Sequence, residues 1–263
     1  MKLKELLSAL ILLPALGQAE DVDLISFLEH EGCTIGAPVL QKAAAQGIDL
    51  AGIENLTERS LAAGQAKQER DWVVLDDSIC TIRLPKITPR YTLDDPFIAK
   101  FISAPDAYPN QPGCYLDDLD QIYDVFWFKR EKAFQDFFST VAGALIAGDI
   151  AFFSDEAQTV PAGYLVIDES ACPTTEYANQ ARLARAGYEE RFSDYVRFLS
   201  KHSVCDSRVP HGPNFVAQLG QQDNPNAWFW MEYYLITAAA GWREGLSYNQ
   251  KGVNRPPLCS YKN

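Results

Sequence analysis

The stretch "DWVVLDDSICTIRL" at residues 71–84 decides the fold expected for the first third of the chain. Two short runs rich in Val and Ile flank a turn-forming Asp-Asp-Ser, a pattern that predicts a β-hairpin. Three segments with helical spacing of apolar residues precede the hairpin, and each ends at or near a glycine. These predicted helices cover residues 21–32, 36–47 and 49–64.

Three helices followed by a hairpin resemble the shape of a winged helix, although no family motif accompanies that shape. We therefore predict a separate winged-helix-like unit over residues 20–84; the alternative is that these residues begin one continuous fold. A DNA-binding unit of this shape needs a basic third helix and a basic hairpin. Here acidic residues outnumber basic ones in both elements, which excludes nucleic acid as an expected partner: Arg59, Lys67 and Arg70 against Glu54, Glu58, Glu69, Asp71, Asp76 and Asp77.

The remainder of the chain is predicted to be a mainly helical domain over residues 98–263, so that the fold class is mainly α. Residues 85–97 carry three prolines and read as a linker. Within the domain, "GYLVIDES" is expected to be an isolated strand. The long helical patterns lie at residues 115–148, 174–202 and 224–245.

The N-terminus has the pattern of a secretory signal peptide. Lys2 and Lys4 precede an apolar run at residues 6–16, and small residues follow, including Ala19. We predict a signal peptide over residues 1–19, cleavage near Ala19, and a secreted or periplasmic protein.

Charge and hydropathy limit the possible partners. The net charge of −12 opposes binding to phosphate backbones and to anionic lipid. After the predicted signal peptide, the longest apolar stretch, residues 227–242, is shorter than a membrane span and contains Glu232. No membrane span and no nucleic-acid partner are expected.

The six cysteines predict three structural disulfides. Their number is even, they are widely spaced, and no CxxC pair suggests a metal site. We expect Cys33–Cys80 to staple the N-terminal unit. An unbroken helix between Cys172 and Cys205 would separate them by about 40 Å, far beyond disulfide reach. The preferred remaining pairs are Cys114–Cys172 with Cys205–Cys259; Cys114–Cys205 with Cys172–Cys259 stays open.

The segment "HSVCDSRVPH" at residues 202–211 places two histidines around Cys205. A Cys/His catalytic pair needs a free thiolate, which an exported protein with an even number of cysteines disfavours. His202 and His211 alone supply too few ligands for a metal. The acidic segment at residues 117–124 lacks the ligand spacing of an EF-hand loop. We therefore expect neither a metal nor a cofactor.

Glu232 is the candidate catalytic residue, because it is the single charge between Trp228 and Trp242. Burial would raise the pKa of its carboxyl and suit it to act as a general acid. The favoured alternative is an ion pair in the core with an arginine: Arg243, Arg185 or Arg191. Glycoside hydrolysis also needs a second carboxylate, which no spacing identifies.

The predicted function is that of an exported binding or interaction protein, with an unknown protein or glycan as its partner, rather than an enzyme. The alternative is a cell-envelope glycan hydrolase that uses Glu232. The sequence identifies no ligand-binding residue.

Overall fold

The computed structural model describes residues 16–103, 110–116, 133–156, 159–205, 228–247 and 250–261. These ranges contain eight helices: α1 Leu16–His30, α2 Ala37–Gln46, α3 Leu50–Ala62, α4 Pro96–Ala99, α5 Ala133–Ala147, α6 Glu176–Ala184, α7 Tyr188–His202 and α8 Phe229–Ala239. They also contain nine strands: β1 Thr34–Ile35, β2 Ala66–Glu69, β3 Trp72–Leu75, β4 Ile102–Ser103, β5 Tyr115–Leu116, β6 Ile150–Ala151, β7 Tyr164–Val166, β8 Arg243–Ser247 and β9 Gln250–Asn254.

The strands form three small antiparallel sheets within the described ranges. The first has the order β1-β3-β2, the second β4-β5-β7-β6, and the third is the hairpin β8-β9. The prediction of a mainly α fold is therefore wrong, including its winged-helix-like unit with a larger helical domain. Most of these strands have two to four residues, too few to show the alternation of apolar and polar residues by which strands are recognised.

Two segments show why the mainly α prediction is wrong. The segment "GYLVIDES" contains β7, which is expected to be isolated but pairs with β5 on one side and β6 on the other. The C-terminal hairpin β8-β9 begins inside the segment predicted as the third long helix. Tertiary pairing, which a single segment cannot reveal, makes these residues strands.

The N-terminal hairpin lies one strand earlier than predicted. The expected partners were the runs on either side of Asp76–Ser78, but the structure pairs β2 with β3 through a turn at Arg70, and β1 lies on the other edge of β3. The sequence of β2, "AKQE", is polar and has no strand pattern. Residues 79–84 form no strand; Cys80 and Arg83 instead hold them against the end of α1.

Three disulfides are present: Cys33–Cys80, Cys114–Cys172 and Cys205–Cys259, with Cα–Cα distances of 5.7, 6.1 and 5.0 Å. These are the preferred pairs, but the unbroken helix that was expected between Cys172 and Cys205 is not present. The helix between Cys172 and Cys205 is not continuous, because Gly187 adopts a left-handed conformation between α6 and α7. Helix length alone therefore does not separate these two cysteines.

The start of α6 is fixed by a side-chain cap. The Thr175 hydroxyl accepts a hydrogen bond from the Ala178 N–H at 3.1 Å. We expect Thr175→Ala to lower the free energy of unfolding by about 1 kcal/mol, because it removes this N-cap. Urea denaturation measures the loss, with the exposed neighbour substitution Thr174→Ala as the matched control. Equal effects of the two substitutions would contradict the capping role.

The C-terminal segment packs against the N-terminal helices and sheet. The Thr34 hydroxyl donates to the Pro256 carbonyl at 3.4 Å, and the Tyr261 N–H donates to Glu69 at 3.1 Å. Gly32 has a positive φ of 78°, and a Cβ there would collide with Pro257. One hydrophobic cluster of buried residues includes both regions. The domain boundary near residues 85–97 stays a prediction.

Candidate functional site

Glu232 is completely buried in α8 and is held by an ion pair. The Phe152 N–H donates to Oε1 at 2.6 Å, and Arg185 Nη1 lies 3.1 Å from Oε2. Burial raises the pKa of Glu232, while the Arg185 cation opposes that rise. Of the three arginines considered from the sequence, Arg185 is the one that pairs with Glu232.

The Arg185 guanidinium is also held by several contacts besides its ion pair with Glu232. It donates to the carbonyl oxygens of Leu145 and Ile150, and it lies over the Tyr188 ring at 3.8 Å from the centroid. Both Glu232 oxygens are thus occupied, and no surface of the side chain reaches solvent. This geometry is that of a structural pair between α6, α8 and the β6 region. The role of Glu232 as a general acid stays a prediction without support from these contacts.

The histidine and acidic segments give no metal site in the part of the chain that the structure describes. His202 ends α7, exposed to solvent, with its ring 4.6 Å from the Phe198 ring, and Cys205 is disulfide-bonded. Across the described ranges, no group of three or more His, Cys, Asp or Glu side chains could hold a metal ion. His211 and residues 117–124 lie outside those ranges.

A cleft between α1 and α2 is the candidate binding site, and it has a volume of about 190 Å³. One face of α1 contributes the residues at positions i, i+3, i+4 and i+7: Asp23, Ser26, Phe27 and His30. On the other side, α2 contributes Lys42 and Gln46, which lie one turn apart. The cleft therefore combines apolar surface at Phe27 and Ile48 with charged and hydrogen-bonding side chains.

A buried carboxylate lies at the bottom of the cleft. Glu31 is only 3% exposed, and its Oε1 forms an ion pair with Lys42. Its other oxygen, Oε2, lies 3.8 Å from Nη2 of the buried Arg255. Because two cations surround this carboxylate, its charge is compensated within the protein.

His30 and Lys86 form one end of the cleft. His30 Nδ1 lies 2.6 Å from the Leu84 carbonyl oxygen. A carbonyl can only accept, so Nδ1 carries a proton, and in the neutral form of the ring Nε2 is an acceptor. Lys86 follows Leu84 by two residues, is exposed, and makes no ion pair with any described residue.

The opposite end of the cleft is acidic. A second cleft of about 270 Å³ shares Asp23 and Ile48 with the first and adds Asp49. The two clefts together form a groove along α1, which we call the α1–α2 groove. One end carries Asp23 and Asp49, and the other carries Lys86 with His30.

Part of this groove follows a pattern that is present in the sequence. Asp23, Ser26 and His30 follow the spacing of one helical face beside Phe27. The sequence does not show that Lys42 and Lys86 line the same cleft as these residues, because that depends on the packing of α2 and of the chain after Cys80.

Comparisons of the chain with protein families, with curated protein sequences and with solved structures find no match. Three disulfides fit an extracellular or periplasmic protein. Among the described helices, none is long and apolar enough to cross a membrane. The signal peptide and its cleavage near Ala19 stay predictions, and residues 1–15 lie outside the described ranges.

Proposed function

We propose that this protein works outside the cytoplasm as a binding protein, and that the α1–α2 groove is its binding site. The observation that carries the proposal is a concave surface that combines the apolar side chains of Phe27 and Ile48 with several polar and charged groups. Binding sites combine these two features, since apolar surface supplies affinity and a few polar groups fix the orientation of the ligand.

The groove is supported by rigid neighbours. The disulfide Cys33–Cys80 ties the end of α1 to the chain that leads to Lys86. Buried Glu31 holds Lys42 in place from below. Because the Lys42 side chain is already held in the free protein, a ligand would lose little free energy to ordering it. Among the residues that the structure describes, no comparable arrangement around Glu232 supports the hydrolase interpretation.

We expect a bulky side chain at Gln46 to abolish binding. Gln46 lines the groove at the end of α2, so Gln46→Trp would fill it, whereas Gln41→Trp places the same side chain at an exposed position outside the residues that line it. Ligand-observed NMR of the full chain with a set of small cations, anions, zwitterions and sugars gives the readout. Binding that is lost in Gln46→Trp and kept in Gln41→Trp supports the proposal.

Two results would overturn it. One is that no probe binds the unmodified protein. The other is that every probe which binds does so equally well to Gln46→Trp, because the ligand would then occupy a different surface.

A further inference from the structure

We propose that the α1–α2 groove binds a short peptide of two to three residues with free termini, its amino group at Asp23 and its carboxylate at Lys86. This inference rests on the proposed function, since it names the ligand class of the same groove.

The α1–α2 groove carries opposite charges at its two ends. Glu31 lies between Lys42 and Arg255, and both of these ion pairs are internal to the protein. The other acidic and lysine side chains that line the cleft are Asp23 at one end and Lys86 at the other. Asp49 strengthens the acidic end. A ligand that complements this arrangement carries a cation and an anion at its two ends, so it is a zwitterion.

The length of the groove sets the separation of those two charges. Asp23 and His30 are seven residues apart on α1, which corresponds to about 10 Å along the helix axis. Lys86 lies beside His30, because His30 bonds to the carbonyl of Leu84. An extended residue spans about 3.3–3.6 Å. Two to three residues therefore bridge the groove, and the two charges of a single amino acid are too close together to do so.

The groups between the two ends suit a peptide backbone. His30 Nε2 can accept from a peptide N–H, while the Ser26 hydroxyl and the Gln46 amide can each donate to a carbonyl and accept from an N–H. Phe27 and Ile48 offer apolar surface for side chains. A zwitterion without amide groups offers these side chains no peptide N–H or carbonyl with which to pair.

The test uses tri-alanine and its two blocked forms, N-acetyl-tri-alanine and tri-alanine amide, titrated into the full chain by calorimetry. We expect free tri-alanine to bind and each blocked form to bind about tenfold more weakly, because each lacks one charge. Free alanine should bind more weakly than tri-alanine, since it cannot reach both ends.

Charge removal on the protein assigns each end. Lys86→Ala should weaken free tri-alanine about tenfold and leave the amide unchanged, since the amide has no carboxylate for Lys86 to attract. Asp23→Asn should likewise weaken free tri-alanine and leave the acetylated form unchanged. Lys201→Ala, at an exposed position at the end of α7 and outside the residues that line the groove, is the matched control and should change no affinity.

Three outcomes overturn the inference: tri-alanine does not bind, the blocked forms bind as tightly as the free peptide, or Lys86→Ala weakens the amide as much as free tri-alanine. If another probe still binds the unmodified protein and is lost in Gln46→Trp, the proposed function stands while the peptide inference falls.

Discussion

Replacing Arg185 with methionine is expected to lower the free energy of unfolding by about 3–5 kcal/mol at neutral pH, the cost of removing one partner from a buried ion pair. Arg185 is the cation that faces the fully buried Glu232. Methionine keeps most of the apolar stem but leaves that carboxylate without a countercharge. It also leaves the carbonyls of Leu145 and Ile150 without the guanidinium that donates to them.

The penalty of Arg185→Met should grow as the pH rises. Burial raises the folded pKa of Glu232 above its ordinary value of 4.5. The stability that the protonated Glu232 carboxyl contributes is therefore fully present below pH 4.5, and it is lost as the pH rises through the folded pKa. Arg185 lowers the folded pKa. Removing Arg185 therefore raises that pKa further and extends the loss to higher pH. The difference between the unmodified protein and the variant is therefore smallest below pH 4.5 and grows above it.

Urea denaturation of both proteins from about pH 4 to about pH 8 measures this difference. Arg90→Met is the matched control: Arg90 pairs with Asp136 at 3.2 Å but is 46% exposed, so we expect a loss below about 1 kcal/mol. The double variant Arg185→Met with Glu232→Gln should recover most of the lost stability. A penalty that stays constant with pH would show that the pair is not what holds these elements.

The sequence predicts those helices whose apolar residues repeat with a helical spacing. The helical spacing in the segments that became α2 and α3 predicts helices whose ends agree to within a few residues. The strands were not predictable in the same way. The sequence of β2, "AKQE", becomes a strand because β3 pairs with it, and β5 becomes one because it lies between β4 and β7.

The candidate site residues show the same difference between local patterns, which the sequence reveals, and long-range contacts, which it does not. The sequence singles out Glu232 because one charge in an apolar segment is a local signal, and the structure explains that signal as an ion pair with Arg185. The α1–α2 groove depends on contacts between residues far apart in the chain. Glu31 meets Arg255 across more than two hundred residues, and no pattern within one segment contains that meeting.

Arg255 connects the C-terminal segment to the N-terminal unit, and Arg255→Met is expected to lower the free energy of unfolding by about 3 kcal/mol. Its guanidinium donates to the Pro256 carbonyl at 2.7 Å, to the Gly241 carbonyl at 3.2 Å and to the Thr34 hydroxyl at 3.3 Å. It also lies 5.0 Å from the centroid of the Trp72 ring. Burial lowers the pKa of Arg255 to about 10, with Glu31 opposing that change, so the charge is retained at neutral pH at a cost that these contacts offset.

Arg255→Met should also destabilise the segments that Arg255 contacts, in addition to lowering the free energy of unfolding. Hydrogen exchange is expected to become faster in β1 and in the segment after β9, because Arg255 links them through Thr34 and Pro256. The disulfide Cys205–Cys259 keeps the segment attached while its packing loosens.

Arg243→Met is the control, since Arg243 bonds to Asn254 at 2.6 Å within the C-terminal hairpin and has no contact with β1 among those described. If β1 exchanges equally fast in both variants, Arg255 does not connect the two regions. If only Arg255→Met affects β1, the floor of the α1–α2 groove depends on a residue near the other end of the chain, because the same guanidinium flanks Glu31.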